Sequence, residues 1–401
     1  MSGPSNFSSP GGAWAPRPGY RRSAYPPAGT SQLRPDGAWT PQAMVHRRRG
    51  TVASVVIAGV GAAGLALMLW FTYTSTTSGT ASELLVPILL ALVPLAIVLA
   101  TVRWIDRWEP EPPGVLVAAF LWGAGVATVI SLVVNTSASL LVSAATGSMS
   151  GGRLVSAVVT APIIEETTKG LGLLIVFLIW RRNFNGAVDG IVYASVIAAG
   201  FAFAENILYF VQYSDALLGT FIMRAIASPF AHVSFTACTG LAIGASARMR
   251  SPLAWMWTMP LGLACAIVLH AFWNGMLSVD FSLYFYVEIP FFIAAVSLVL
   301  WLRWHERMTM RQRLADYQRA GWFSPAEVTM ITTGAGRSAA RHWAKSRGPA
   351  AARSMREFLA TASALAQLRQ HAIDGHADAD FAAQEAALLE AITKHRHVFA
   401  G

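Results

Sequence analysis

Four otherwise apolar stretches of this chain carry groups able to do chemistry. They are Glu165-Glu166-Thr167-Thr168-Lys169, Phe201 to Glu205-Asn206, His232, and His270-Ala271-Phe272-Trp273-Asn274. Ionisable groups at bilayer depth are costly and normally face a bundle interior or a water-filled cavity. Together, these types suit hydrolysis of a peptide bond. A carboxylate in apolar surroundings holds protons more tightly than in water and can serve as general base near neutral pH. A neighbouring histidine helps hold the water, and a His/Asn pair can donate to the oxyanion of a tetrahedral intermediate. Helical spacing brings Lys169 near both Glu165 and Glu166, so it can neutralise one of them. The two glutamates point about 100° apart and should have different tasks, whereas His270 and Asn274 share a face one turn apart. Each group also has a structural reading: Glu-Glu-Lys as an ion pair, His232 as a hydrogen-bonded bundle residue, Asn206 and Asn274 as interhelical contacts. Their arrival at one depth favours function.

That depth follows from the elements that carry them. Of 401 residues, 54% are hydrophobic and 13% charged, against about 25% charged in soluble domains. Apolar blocks at roughly 52–73, 84–102, 114–135, 154–180, 187–211, 227–247, 254–277 and 282–303 are each long enough to cross a bilayer. Arg47 to Arg49, Arg103, Arg107, Arg181, Arg182, Arg248, Arg250, Arg303 and Arg307 fall on one side, and Arg153 and Arg224 on the other. The expectation is an all-α membrane protein, an eight-helix transmembrane bundle with both termini cytoplasmic. The site residues then lie roughly 8 to 17 Å below the outer surface. Residues 1–50, rich in Pro, Gly and Ser, predict a disordered cytoplasmic arm, residues 51–303 the bundle, and 304–401 a cytoplasmic helical tail. In the tail, Ser324-Pro325-Ala326-Glu327 has the pattern of a capping box. The first apolar block follows some fifty polar residues, so it is expected to stay as an anchor rather than be cleaved as a signal peptide. The net charge of +9 fits membrane-surface anchoring better than nucleic-acid binding, because the basic residues flank the apolar blocks. Cys238 and Cys265 are too few for a disulfide framework or a cysteine zinc site.

These residues resemble, in order, the motifs of the PrsW family of glutamic-type intramembrane proteases, relatives of the CAAX prenyl endopeptidases and Abi membrane proteins. E-E-x-x-K falls on Glu165 to Lys169, F-x-x-x-E-N on Phe201 to Asn206, and H-x-x-x-N on His270 to Asn274, with His232 leading to Gly240 and Gly244. Asp106-Arg107-Trp108-Glu109-Pro110-Glu111-Pro112 looks like the family's acidic-proline loop. The resemblance covers roughly residues 84–300. It implies Glu165 as the water-activating glutamate, supported by Glu166 and Lys169, His232 as a positioning group, and His270 with Asn274 as the oxyanion site. The CAAX branch has a histidine where this chain has Glu205; Glu205 is then either a second carboxylate or a support for a histidine. The implied substrate is a membrane protein, a single-pass anti-sigma factor cut on the outer side.

No cofactor is expected, with zinc left open because histidines and glutamates can hold it although no H-E-x-x-H occurs. The rival readings are a metal-dependent membrane protease and a non-enzymatic protein, either a proton-coupled transporter or an immunity-type protein. Glu288 lies near the same depth, either lining the cavity or paired with Lys169 or Arg224.

Overall fold

A computed structural model describes residues 41–76, 82–108, 110–181, 184–279, 283–375 and 380–400. Among them there is helix and no strand, and they divide after Leu302 into two compact units. Residues 1–40 of the expected arm lie outside the described residues, as do Glu109, Arg182 and the side chain of Glu288, while residues 41–50, expected as part of that arm, are instead helical and continue into the first span.

The first unit contains α1 (Pro41–Thr74), α2 (Ser82–Ile105), α3 (Pro113–Thr146) and α4 (149–179). These are followed by α5 (Ala187–Gln212), α6 (217–227), α7 (Ala231–Ser246), α8 (Trp255–Val279) and the first part of α9 (Leu283–Arg319). Seven helical stretches among the described residues are long and apolar enough to cross a membrane. This is one fewer than the eight expected, and the difference is the block at 154–180. It is helical, but a π-turn at Ser156–Thr160 interrupts it and Glu165, Glu166 and Lys169 dilute its apolar character. Other boundaries also move. Block 114–135 continues to Thr146, where Gly147 adopts a left-handed φ of 69°, and block 227–247 divides at Ser228-Pro229-Phe230.

The outward faces are apolar, with Leu85, Leu89, Leu261, Val268, Phe272 and Ile293 exposed, as lipid-facing surfaces require. The centre is α5, apolar on nearly every side and packed most extensively on α7 and α2, the pattern of a fully surrounded helix. A Cβ on Gly240 would strike the carbonyl of Gly190, and one on Gly190 would strike that of Gly240. Without side chains at this crossing the two backbones touch, the small-residue packing of membrane helices. This contact draws α7, with His232, onto α5, with Glu205.

The second unit comprises the rest of α9 with α10 (Pro325–Thr332), α11 (Gly334–Ser346), α12 (Pro349–Ile373) and α13 (Phe381–Ala400). Its core includes Leu314, Phe323, Ile331, Phe358, Leu365 and Ile392. Helix α10 starts on the expected capping box. The Ser324 hydroxyl accepts from Glu327 N at 3.1 Å, and the Glu327 carboxylate accepts from Ser324 N at 2.8 Å.

Candidate active site

The α4 residues come together around Lys169, which is wholly buried. Its Nζ donates to Glu166 Oε1 at 2.8 Å and to His232 Nδ1 at 3.1 Å, and lies 4.0 Å above the Phe201 ring. Glu165 Oε2 is farther away, at 3.8 Å. Of the two glutamates the lysine therefore neutralises Glu166. That carboxylate also accepts from Thr236 Oγ1 at 2.8 Å and meets His270 Nδ1 at 3.1 Å. A carboxylate with three donors is saturated, and its burial is compensated.

Glu205 forms the second ion pair. It accepts from Arg224 and meets His232 Nε2 at 2.8 Å, while Arg224 Nε donates to Asn206 Oδ1 at 2.6 Å. Arg224, placed by its charge in an outer loop, instead reaches inward from the π-turn of α6 at Ile222–Ala227, with its guanidinium 4.0 Å over Tyr209.

Glu165 differs from both. Its Oε1 accepts from Asn135 Nδ2 at 3.2 Å. Its Oε2 is buried with no hydrogen-bond partner, facing His270 Nε2 at 3.9 Å. Three carboxyl groups thus share two cations, and Glu165 is the one hydrogen-bonded to neither. Asn274 Nδ2 gives one of its two hydrogens to Ala157 O at 2.8 Å, in the π-turn that leads into the glutamates. The two imidazoles lie 5.2 Å apart, one edge-on to the other, and Phe235 stacks on His270 at 5.0 Å.

All eight expected residues therefore fall within one connected region. Sequence reasoning missed Asn135, Thr236 and the inward turn of Arg224. Thr236 stands one helical turn after His232 on the same face, a visible signal, whereas Asn135 is a lone amide in an apolar span with no partner nearby in sequence.

Glu165, His232 and His270 can each turn a ligand atom to a common point, these atoms lying within 4.8 Å of one another. Two imidazoles and a carboxylate form a known zinc donor set, and the unpartnered Glu165 Oε2 gives the triad a free ligand atom. The donor types fit a divalent ion, but both His232 nitrogens are hydrogen-bonded, so an ion would have to take the place of Lys169 or Glu205 on that ring.

Residues 111–301 match the PrsW-protease family, described as the PrsW family intramembrane metalloprotease. Among similar proteins is Protease PrsW of Clostridioides difficile, 34% identical over 153 residues, or 38% of this chain and 62% of the relative. The Protease PrsW of Shouchella clausii is 30% identical over 138 residues, covering 34% and 61%, and that of Bacillus subtilis 27% over 146 residues, covering 36% and 63%. The chain thus spans about three fifths of the length of these relatives. No solved structure matches it. The helices that gather the ordered motifs lie within residues 111–301, and over that stretch the chain is similar to the PrsW family.

Proposed function

We propose that the protein is an intramembrane endopeptidase that hydrolyses a peptide bond in a membrane protein, with Glu165 taking a proton from the attacking water. The observation that carries this reading is the difference between Glu165 and its neighbours. Glu166 and Glu205 are each bonded to a cation, whereas Glu165 keeps a buried oxygen without a donor. Ionised Glu166 only accepts, so His270 Nδ1 donates to it and Nε2 presents its lone pair. Nε2 and Glu165 Oε2 face each other at 3.9 Å, and one water can reach both. Asn274 has a second amide hydrogen beyond the one given to Ala157 O. That hydrogen, with His270 Nε2 once Glu165 has passed it the proton taken from the water, is the donor set for the oxyanion.

The remaining residues hold this arrangement. The Lys169 ammonium has only donors, so His232 Nδ1 accepts from it and Nε2–H donates to Glu205. Glu205 is then a support for a histidine, and Arg224 with Asn206 anchors it.

In the membrane, α4 is the eighth crossing despite its charges, because they are paired inward. The arginine distribution supports a topology with both termini in the cytoplasm and the site in the outer half. Residues 304–401 are a cytoplasmic appendage. The resemblance makes a single-pass anti-sigma factor, cut near its outer side, the substrate class.

A second reading rests on the convergence of Glu165, His232 and His270. A divalent ion held there would act as a Lewis acid on water or on the scissile carbonyl. Exhaustive chelation of purified protein separates the two: retained cleavage supports the metal-free base, and loss restored by zinc supports the ion. The parent reading is tested with a single-pass membrane substrate and Glu165→Ala, Glu166→Ala and His270→Ala variants. Full cleavage by all three would return the cluster to a structural or proton-relay role. Full cleavage by Glu165→Ala alone would move the base to Glu166 or Glu205.

A further inference from the structure

Helix α3 carries none of the expected site residues, yet it touches the catalytic helix twice. Trp122 Nε1, in the π-turn Trp122–Ala127, donates to Thr168 O at 3.0 Å. Between three and four turns later, Asn135 Nδ2 donates to Glu165 Oε1 at 3.2 Å. The Asn135 backbone is itself tied to α4, since its carbonyl accepts from Ser156 Oγ at 2.9 Å, at the start of the π-turn before Glu165. The amide's position is thus set from the helix that it serves. The other end of the amide adds an independent observation: Asn135 Oδ1 is buried and has no donor, like Glu165 Oε2. Two bonded neighbours each leave an acceptor open where burial makes an open acceptor costly. Such a pair is arranged to receive a donor, and a water has the required chemistry.

We propose that Asn135 is a positioning residue for Glu165. By donating to Oε1 it holds the carboxylate in the rotamer that directs Oε2 at the reacting water, and it does so without adding charge. Lysine or arginine here would cancel the one carboxylate left unpaired, and an apolar residue would let it rotate towards Lys169, 3.8 Å away. A neutral amide donor meets both demands. This rests on the assignment of Glu165 as the base.

The test compares Asn135→Ala and Asn135→Asp with wild type and Glu165→Ala, in full-length protein, with a single-pass membrane protein as substrate and thermal stability in detergent as the folding control. Positioning and packing predict opposite orders. As a positioning group, Asn135→Ala lowers kcat ~10-fold and isosteric Asn135→Asp ~100-fold, because the latter sets a carboxylate against Glu165. KM stays within about 2-fold in both, since substrate binding is not touched. If Asn135 merely fills space, Asn135→Ala is the worse variant and loses thermal stability, while Asn135→Asp stays near wild type; that order overturns the proposal. So does kcat within about 2-fold of wild type in both variants while Glu165→Ala is inactive, a result that leaves the protease reading standing. Full cleavage by Glu165→Ala removes that reading, and this proposal with it.

Discussion

Helix α5 carries a buried polar cluster at each end, and the two are built on opposite principles. At its start, Asp189 accepts from the Asn185 backbone at 2.6 Å, and Tyr193 donates to Glu111 Oε2 at 2.6 Å. Asp106 in turn accepts from the backbone N–H of Glu111, at 3.1 and 3.2 Å to its two oxygens. About 18 Å further along, twelve residues at about 1.5 Å each, Glu205 enters the cluster of Lys169, His232 and Glu165. The first cluster ties carboxylates to the backbone of their own turns, with Tyr193 bridging two elements. The second joins side chains from α3, α4, α5, α6, α7 and α8, and it leaves Glu165 Oε2 and Asn135 Oδ1 without donors. A closed set of hydrogen bonds stabilises a turn, whereas an open one has capacity left for a ligand. Both come from sequence segments that look like motifs, so the presence of acidic residues alone does not separate scaffold from site.

The largest effect should come from the open cluster. Glu165→Gln should lower cleavage by ~10³-fold or more, with thermal stability near wild type, because its only cation, Lys169 at 3.8 Å, is bonded closer to Glu166. Comparable loss of stability and activity would place Glu165 among the scaffold groups and erase the contrast. Lys169→Met should destabilise by about 3–5 kcal/mol, read from unfolding in detergent, since it leaves Glu166 buried and unpaired. The closed cluster should behave the other way. Tyr193→Phe should cost about 1–3 kcal/mol of stability by removing the donor to Glu111, and kcat of the folded fraction should not change. Thr236→Val, which deletes one of three donors to Glu166, should be smallest, about 1 kcal/mol with less than about 3-fold change in kcat. A kcat effect larger than that of Lys169→Met would make the threonine part of the chemistry.

Much of the site was legible because charge in an apolar helix is conspicuous. Glu165, Glu166, Lys169, His232 and His270 stand out against their surroundings before any fold is known, and the 3.6-residue period relates Lys169 to both glutamates. The capping box at Ser324 was legible because its partners are three residues apart. Asn135 was not, because its partner lies thirty positions away and a lone asparagine in a span has many uses. The role of Asn274 was also misjudged in part. Its face was right, but its nearest acceptor is a carbonyl of the α4 π-turn, which no pattern in residues 270–274 reveals.

The amino-acid sequence by itself determined the solvent, the helical class and the chemical inventory. These depend on composition and on periods of a few residues, and the free energy of apolar transfer acts on each segment separately. Only the tertiary structure decided which carboxylate Lys169 neutralises, where Arg224 turns and which acceptors remain open. Those outcomes depend on helices that meet across 18 to 117 residues of chain. Their packing is set by small residues such as Gly190 and Gly240, whose importance lies in what they allow to come close.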